Sequence, residues 1–269
     1  MGMHPNKGML RYSVLDDLSK YREEFTLGDG ASACLLVHGL GCGPIQMREL
    51  AENLSSWGFT ARGILLPGHC GDTSDIARSS LHDWAEKVSS EYFQLKSRHS
   101  KVVVIGFSLG ALLALQLAIK QPVEGVIVMG TPIYLIRRYL PINSLVRIGK
   151  IFIEKVKTRP RTCYMKSKSY TGYLRQPIDT HYSLKTLHEI KQITKAIKPG
   201  LKDIKSPALI IHSQRDRIAA PGSAKYVFQH IGSTDKRSVW LERSHHLVMY
   251  DDEKDVVFNA IKEFLLRVG

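Results

Sequence analysis

Residues 101–120 bring two backbone conformations together at a single serine. Lys101 is followed by Val102-Val103-Val104-Ile105, an apolar, β-branched run of the kind buried on both faces of a parallel sheet. Residues 109–120 are apolar on nearly every side and read as a buried helix. Between the two stands Gly106-Phe107-Ser108-Leu109-Gly110. In so tight a strand-to-helix turn the serine is held in a strained conformation with its Oγ above the sheet. The flanking glycines are required because side chains there would collide with the neighbouring strand and helix. Residues 102–119 are uncharged and long enough to be mistaken for a membrane span. The glycines and serine interrupt them where a turn is needed, so a buried strand and helix account for the same letters. Such a junction requires a helix-covered parallel sheet.

The rest of the chain supplies one. Short β-like runs alternate with amphipathic stretches, the pattern of an α/β fold. Strands are expected at 33–37, 59–66, 101–105 and 123–129, with helices at 44–57, from about 81 to 98, and at 109–120. Pro44 suits a first helical turn and Gly58 a stop, and Ser80 with Asp83 forms a plausible capping box. The alternation breaks from Tyr134 to about Pro199, where the period is mostly helical, and resumes after Ser206-Pro207 with a strand at 208–212, a helix at 222–231, a strand at 238–242 and a final helix from about 251 to 268. The expected organisation is a core of residues 1–131 and 201–269, mainly parallel sheet with helices on both faces, and an inserted helical cap at 132–200 over the site.

A chain of 269 residues can bury a core of this size. Its four cysteines (Cys34, Cys42, Cys70, Cys163) show no CxxC pair and read as reduced thiols, without a disulfide framework or metal site. The first ten residues lack the apolar run of a signal peptide, and the expected location is cytoplasmic. The net charge is +13, and residues 132–205 carry the excess, with 17 Lys/Arg against 4 Asp/Glu. No nucleic-acid signature accompanies it, so a solvated lysine-rich surface is expected, with at most peripheral contact to anionic membrane and no nucleic-acid partner.

A serine hydroxyl becomes a nucleophile only when a base takes its proton and an acid orients that base. In this class of sheet the order along the chain is serine, acid, histidine, each after a strand. Asp216 follows the strand at 208–212, whereas Asp203, Asp235 and Glu242 lie before or within strands. Ser244-His245-His246 follows the last strand, and strand reading leaves both histidines open as the base. His181, His188 and His230 fall in helical or cap sequence and read as solvated. A tetrahedral intermediate also needs two amide donors. Leu109, after the serine, is one; Leu40, in His38-Gly39-Leu40-Gly41-Cys42-Gly43, is the other. His38 and His69 read as loop-fixing, and Cys42 and Cys70 as bystanders without an acid–base partner.

On these residues the chain resembles the α/β-hydrolases, and within them the small bacterial carboxylesterases and monoacylglycerol lipases. The resemblance rests on His38-Gly39, Leu66-Pro67-Gly68-His69, Asp83-Trp84, Gly106-Phe107-Ser108-Leu109-Gly110, Asp216, and Ser244-His245-His246 through Asp251-Asp252-Glu253-Lys254-Asp255. Family members show Ser-x-His before a short apolar run and an aspartate, and that spacing implies His246 as the base. It further implies a cofactor-free esterase with Ser108 as nucleophile and Asp216 as acid, acting on a small or lipid-like ester. A monoacylglycerol lipase is the alternative; a thioesterase, an acyltransferase or a non-catalytic scaffold is more distant. Cys70 and Ser213 stand where the family often has glycine. By the same resemblance, Ile133, Ile136, Leu140 and Ile148 line an acyl tunnel or else pack in the core.

Overall fold

Seven strands form one twisted sheet in the order β1-β3-β2-β4-β5-β10-β11. They are β1 (Phe25–Leu27), β2 (Ser32–Val37), β3 (Thr60–Ile64), β4 (Lys101–Phe107), β5 (Gly125–Met129), β10 (Ala208–Ser213) and β11 (Lys236–Leu241). Only β1 runs antiparallel, against β3; the remaining pairs are parallel. The computed structural model describes residues 22–70, 73–136, 155–157, 162–166, 171–175 and 181–269. The central strand β4 is paired with β2 from Ser32↔Lys101 to Val37↔Gly106 and with β5 on its other edge. Apart from exposed Lys101 it is buried throughout, as a strand covered on both faces must be.

Helices cover each face. On one lie α3 (Leu81–Lys96), α4 (Leu109–Lys120), α5 (Leu184–Gly200) and α6 (Gly222–His230), which share a core with Leu35, Val104 and Val128. On the other lie α1 (Arg48–Ser56) and α7 (Lys254–Val268), packed over Leu36, Ile105 and Ile127. The short α2 (Thr73–Arg78) precedes α3. Alternate residues of each strand therefore feed two separate cores.

The helix signals read from sequence act locally. Pro44 opens a 3-10 turn, Pro44–Met47, that leads into α1, and Gly58 beyond its end takes φ 87°. The α3 capping box is complete, with the Ser80 amide donating to Asp83 Oδ2 at 2.8 Å and the Asp83 amide to Ser80 Oγ at 3.3 Å.

Several elements differ from expectation. The three-residue β1 and six-residue α2 are too short to carry a readable period. The segment expected as a helical cap contains two antiparallel strand pairs among its described residues: β6 (Lys155–Lys157) with β9 (His181–Ser183), and β7 (Thr162–Lys166) with β8 (Thr171–Arg175). Strands of three to five residues leave no sustained alternation in sequence, and pairing is a tertiary event. Pro199, expected as a boundary, lies inside α5 one residue before its end. Leu140 and Ile148 lie outside the described residues. No helix among the described residues is long and apolar enough to cross a membrane.

Candidate active site

Parallel strands present their C-terminal ends along one edge, and the loops there bring distant residues together. Ser108 follows β4, Asp216 follows β10, His246 follows β11 and Leu40 follows β2.

Ser108 has φ 54° and ψ −114°, a conformation L-residues rarely adopt. Its N–H donates to the Met129 carbonyl at 2.9 Å, fixing the turn against β5. The flanking glycines are sterically required. A Cβ on Gly106 would stand 2.2 Å from the Gly110 oxygen, and one on Gly110 would stand 2.1 Å from the Val37 oxygen.

The Oγ of Ser108 lies 3.1 Å from His246 Nε2, and His246 Nδ1 lies 2.7 Å from Asp216 Oδ2. An ionised aspartate accepts only, so Nδ1 carries the proton and Nε2 is left to accept from the serine. Asp216 is buried, and its second oxygen accepts from the amides of Ile218 (2.8 Å) and Ala219 (3.0 Å). Burial alone would raise its pKa. The adjacent His246, its hydrogen bond and the Ile218 amide outweigh that, holding the carboxyl below its ordinary range. His246 is also buried, its ring 5.0 Å from that of Phe107. Gly130 leaves space beside it, since a Cβ there would stand 3.2 Å from His246 Cε1.

Of the two histidines that strand reading left open, His246 is therefore the one that reaches Ser108 and Asp216. His245 faces the opposite way: its amide donates to Asp251 Oδ2 at 2.6 Å, its Nδ1 lies 3.2 Å from the same oxygen, and its side chain is half exposed.

Several residues that shape this site were given no role by the sequence reading. Glu253, just before α7, folds back on the histidine loop. Its carboxylate accepts from the amides of Glu242 (3.1 Å), Arg243 (2.9 Å) and Ser244 (2.8 Å) and from Ser244 Oγ (2.8 Å). Desolvation opposes this, but the Ser244, Arg243 and Glu242 donors prevail and draw its pKa down to about 2. In sequence it is one of three consecutive acids at a helix start, where a dipole-complementing role is the obvious one. Ser213, one of the two positions that depart from the family glycine, donates to the Ser244 carbonyl and accepts from the Arg215 amide at 3.1 Å, stitching the acid turn to the histidine loop. The chain leaving β5 is bound to the same turn, with Ile136 N–H donating to Ile218 O (2.9 Å) and Ala220 N–H to Tyr134 O (2.8 Å).

The loop after β2 is held from two sides. Gly39 N–H donates to the buried Gln46 Oε1 at 2.7 Å. His38 Nδ1 donates to the Gly39 carbonyl (2.9 Å) while Nε2 accepts from Leu66 N–H (3.1 Å). Burial, with a smaller contribution from His69, pushes His38 down to about 3; burial pushes His69 to about 4. Both are neutral structural rings, as their sequence positions suggested. Burial pushes the Cys42 thiol up to about 12 and that of Cys70 higher, so neither is a ready thiolate. Leu40 packs against the core beside this loop. Leu109 is the first residue of α4, where an N–H has no partner within its own helix. Ile133 is buried among the core residues.

A serine hydroxyl in a strained turn, an imidazole within hydrogen-bond reach and a buried carboxylate behind it can carry acyl transfer. No cluster of three or more His, Cys, Asp or Glu among the described residues is arranged to hold a metal ion.

Comparison with known proteins gives the family and the fold. The family described as "Serine aminopeptidase, S33" matches residues 29–253. A thermostable monoacylglycerol lipase from a Bacillus species is 30% identical over 251 residues, covering 91% of this chain and 94% of the relative. A carboxylesterase from Bacillus subtilis is 23% identical over 245 residues, covering 91% and 96%. Among solved structures, one from a study of two metagenome-derived lipolytic enzymes superposes with a TM-score of 0.80 at 22% identity, covering 95% of this chain and all of that one. The fold is that of the α/β-hydrolases.

Proposed function

The chain belongs to the serine aminopeptidase family of α/β-hydrolases, and from that premise we propose that it hydrolyses carboxylic esters at Ser108. The observation that carries the reading is the hydrogen-bonded row Ser108–His246–Asp216, with separations of 3.1 and 2.7 Å. Ser108 Oγ attacks the ester carbonyl as His246 Nε2 takes its proton, and Asp216 stabilises the imidazolium. The Leu40 and Leu109 amides receive the oxyanion. His246 then protonates the departing alcohol, and the acyl group stays on Ser108. A water, deprotonated by the same nitrogen, releases the acid and restores the serine.

Esters are favoured over peptides because the two curated relatives are named as a lipase and an esterase. The substrate class is a short- to medium-chain acyl ester, with monoacylglycerol as the second reading because the 30% identical relative carries that name. Rates with p-nitrophenyl esters from acetate to palmitate, and with monoolein, separate the two. Ser108→Ala tests the whole reading. It should reduce p-nitrophenyl butyrate turnover by several orders of magnitude, and an unchanged rate refutes the assignment.

A further inference from the structure

The two helical layers differ in charge. The α1 and α7 layer is balanced and internally paired, with Lys254 on Glu49, Arg48 on Glu52 and Arg267 on Asp235. In the opposite layer α3 is paired as well, Lys87 with Glu91 and Lys96 with Glu124, but the cations of α5 and its surroundings are not matched in the same way. Helix α5 buries Ile190, Ile193 and Ile197 and exposes Lys185, Lys191 and Lys195 along the other side, spaced at three- to four-residue intervals with His188. Its acid, Glu189, accepts from the Leu81 amide at 3.2 Å and so faces α3. Lys120, Lys202, Lys205 and Lys225 are exposed in the same layer, against the exposed acids Glu86 and Asp203. None of Lys120, Lys191, Lys195 and Lys202 has an ion-pair partner among the described residues.

Beside this stripe the layer opens into a groove. A groove of about 660 Å³ lies between α3 and α4, lined mainly by apolar side chains such as Leu81, Phe93, Leu113 and Leu117, with Glu86 and Lys120 among its polar members. Phe93 is 50% exposed at its edge, and Gln116 Oε1 is buried in its lining without a donor. The groove and the lysines adjoin, since Lys120 itself lines the groove and Glu189 of α5 reaches the amide of Leu81, another lining residue. The N-termini of α3 and α4 and the start of α5 reach the sheet edge that carries Ser108.

We infer that the α3–α4–α5 layer is a docking surface for an anionic lipid bilayer, with the α5 lysines on the phosphates and Phe93 and the groove taking up acyl chain. Unpaired lysines favour a negative surface of either lipid or nucleic acid. Two features choose lipid. The cations are lysines, point charges without the planar fork that reads nucleic acid. The groove beside them is apolar and offers a half-exposed phenylalanine, the pairing that holds amphipathic surfaces at a bilayer. The inference deepens the ester-hydrolase reading, because a lateral dock brings the Ser108 edge to where lipid esters reside.

Binding is measured without turnover, on Ser108→Ala protein, so that it stands or falls apart from the activity. Flotation with phosphatidylcholine vesicles, with and without phosphatidylserine, is the assay. The protein should float with phosphatidylserine vesicles at low salt, float weakly with pure phosphatidylcholine, and be released at 0.5 M salt. Lys185→Glu/Lys191→Glu/Lys195→Glu should reduce the affinity by about a hundredfold or more, and Phe93→Ser should reduce it more modestly. Lys262→Glu, on the opposite layer, should leave it unchanged. The triple variant in the Ser108 background should keep wild-type turnover of soluble p-nitrophenyl butyrate, which shows that it folds. Absence of flotation at low salt, equal loss in Lys262→Glu, or a triple variant that still floats overturns the proposal. Binding to duplex DNA but not to vesicles also overturns it.

Discussion

Gly110 has no room for even a methyl group, since its Cβ would meet the Val37 carbonyl oxygen at 2.1 Å. Gly110→Ala must therefore move β2 or the turn, and Ser108 moves with it. The expected result is a loss of about 1–3 kcal/mol in urea unfolding, with turnover falling about 10²-fold because reacting atoms tolerate little displacement. Glu253 makes a second residue-scale test. Its carboxylate gathers three amides and a hydroxyl around the loop that carries His246. Glu253→Gln keeps the shape but exchanges an acceptor oxygen for a donor, leaving an amide facing an amide. Stability should drop by about 1–3 kcal/mol, and kcat should fall more than KM rises, because His246 is displaced without touching the substrate. The sign with pH is set by a folded-state pKa of about 2 against an ordinary 4.5. The contribution is complete above 4.5 and is lost as pH falls toward 2. The difference in urea midpoint between wild type and Glu253→Gln should accordingly narrow between pH 5 and pH 2.5.

Helix α3 shows what an element contributes beyond its own turns. Its capping box sets where it begins, and Trp84, fully buried, donates from Nε1 to the Pro67 carbonyl at 3.1 Å. The helix start is thus fastened to the turn that carries His69, whose ring lies 5.6 Å from that of Trp84. Ser80→Ala should cost about 1 kcal/mol, read as a shift in urea midpoint, with esterase activity largely retained. Most of the core elements were legible because they are long and periodic. The strand pairs at 155–183 were not, since a three-residue strand such as β6 has no period and exists only against its partner β9. Element edges moved by a few residues for a related reason: β4 continues through Phe107, past the expected end at 105, because β2 pairs with it to Gly106 and β5 to Phe107.

At the scale of the whole molecule, neutral buried histidines gather near the site edge of the sheet. Burial lowers His38 to about 3 and His69 to about 4, and lowers His212, which bonds to Ala219 O at 3.1 Å. The unfolded chain takes up these protons near pH 6.5 while the folded one does not. Stability is complete above that pH and declines as pH falls, until the folded-state values are reached near 4 and 3. Urea midpoints measured from pH 7.5 to pH 4 should fall progressively, and His38→Asn should flatten the slope by about one proton while lowering the value at pH 7. A flat wild-type profile over that range would contradict the neutral, buried assignment.

Ser108 was readable from sequence because its constraint is local: a strained turn, glycines two residues either side, a strand before it and a helix after. Asp216 was nearly as legible, because chain order and a strand end fall at the same residue. His245 against His246 was different, for two adjacent residues share every local property. Strand reading left both open, and the family resemblance pointed to His246. The two are placed differently: Asp251 holds His245 outward, whereas His246 approaches Asp216 at 2.7 Å, 30 positions away in the chain. The same holds for Glu253, Gln46 and Ser213, ordinary polar letters whose roles exist only where distant loops meet. Local sterics wrote the Ser108 turn into the sequence, and only the packing of β10, β11 and the start of α7 set His246 and Asp216 beside it.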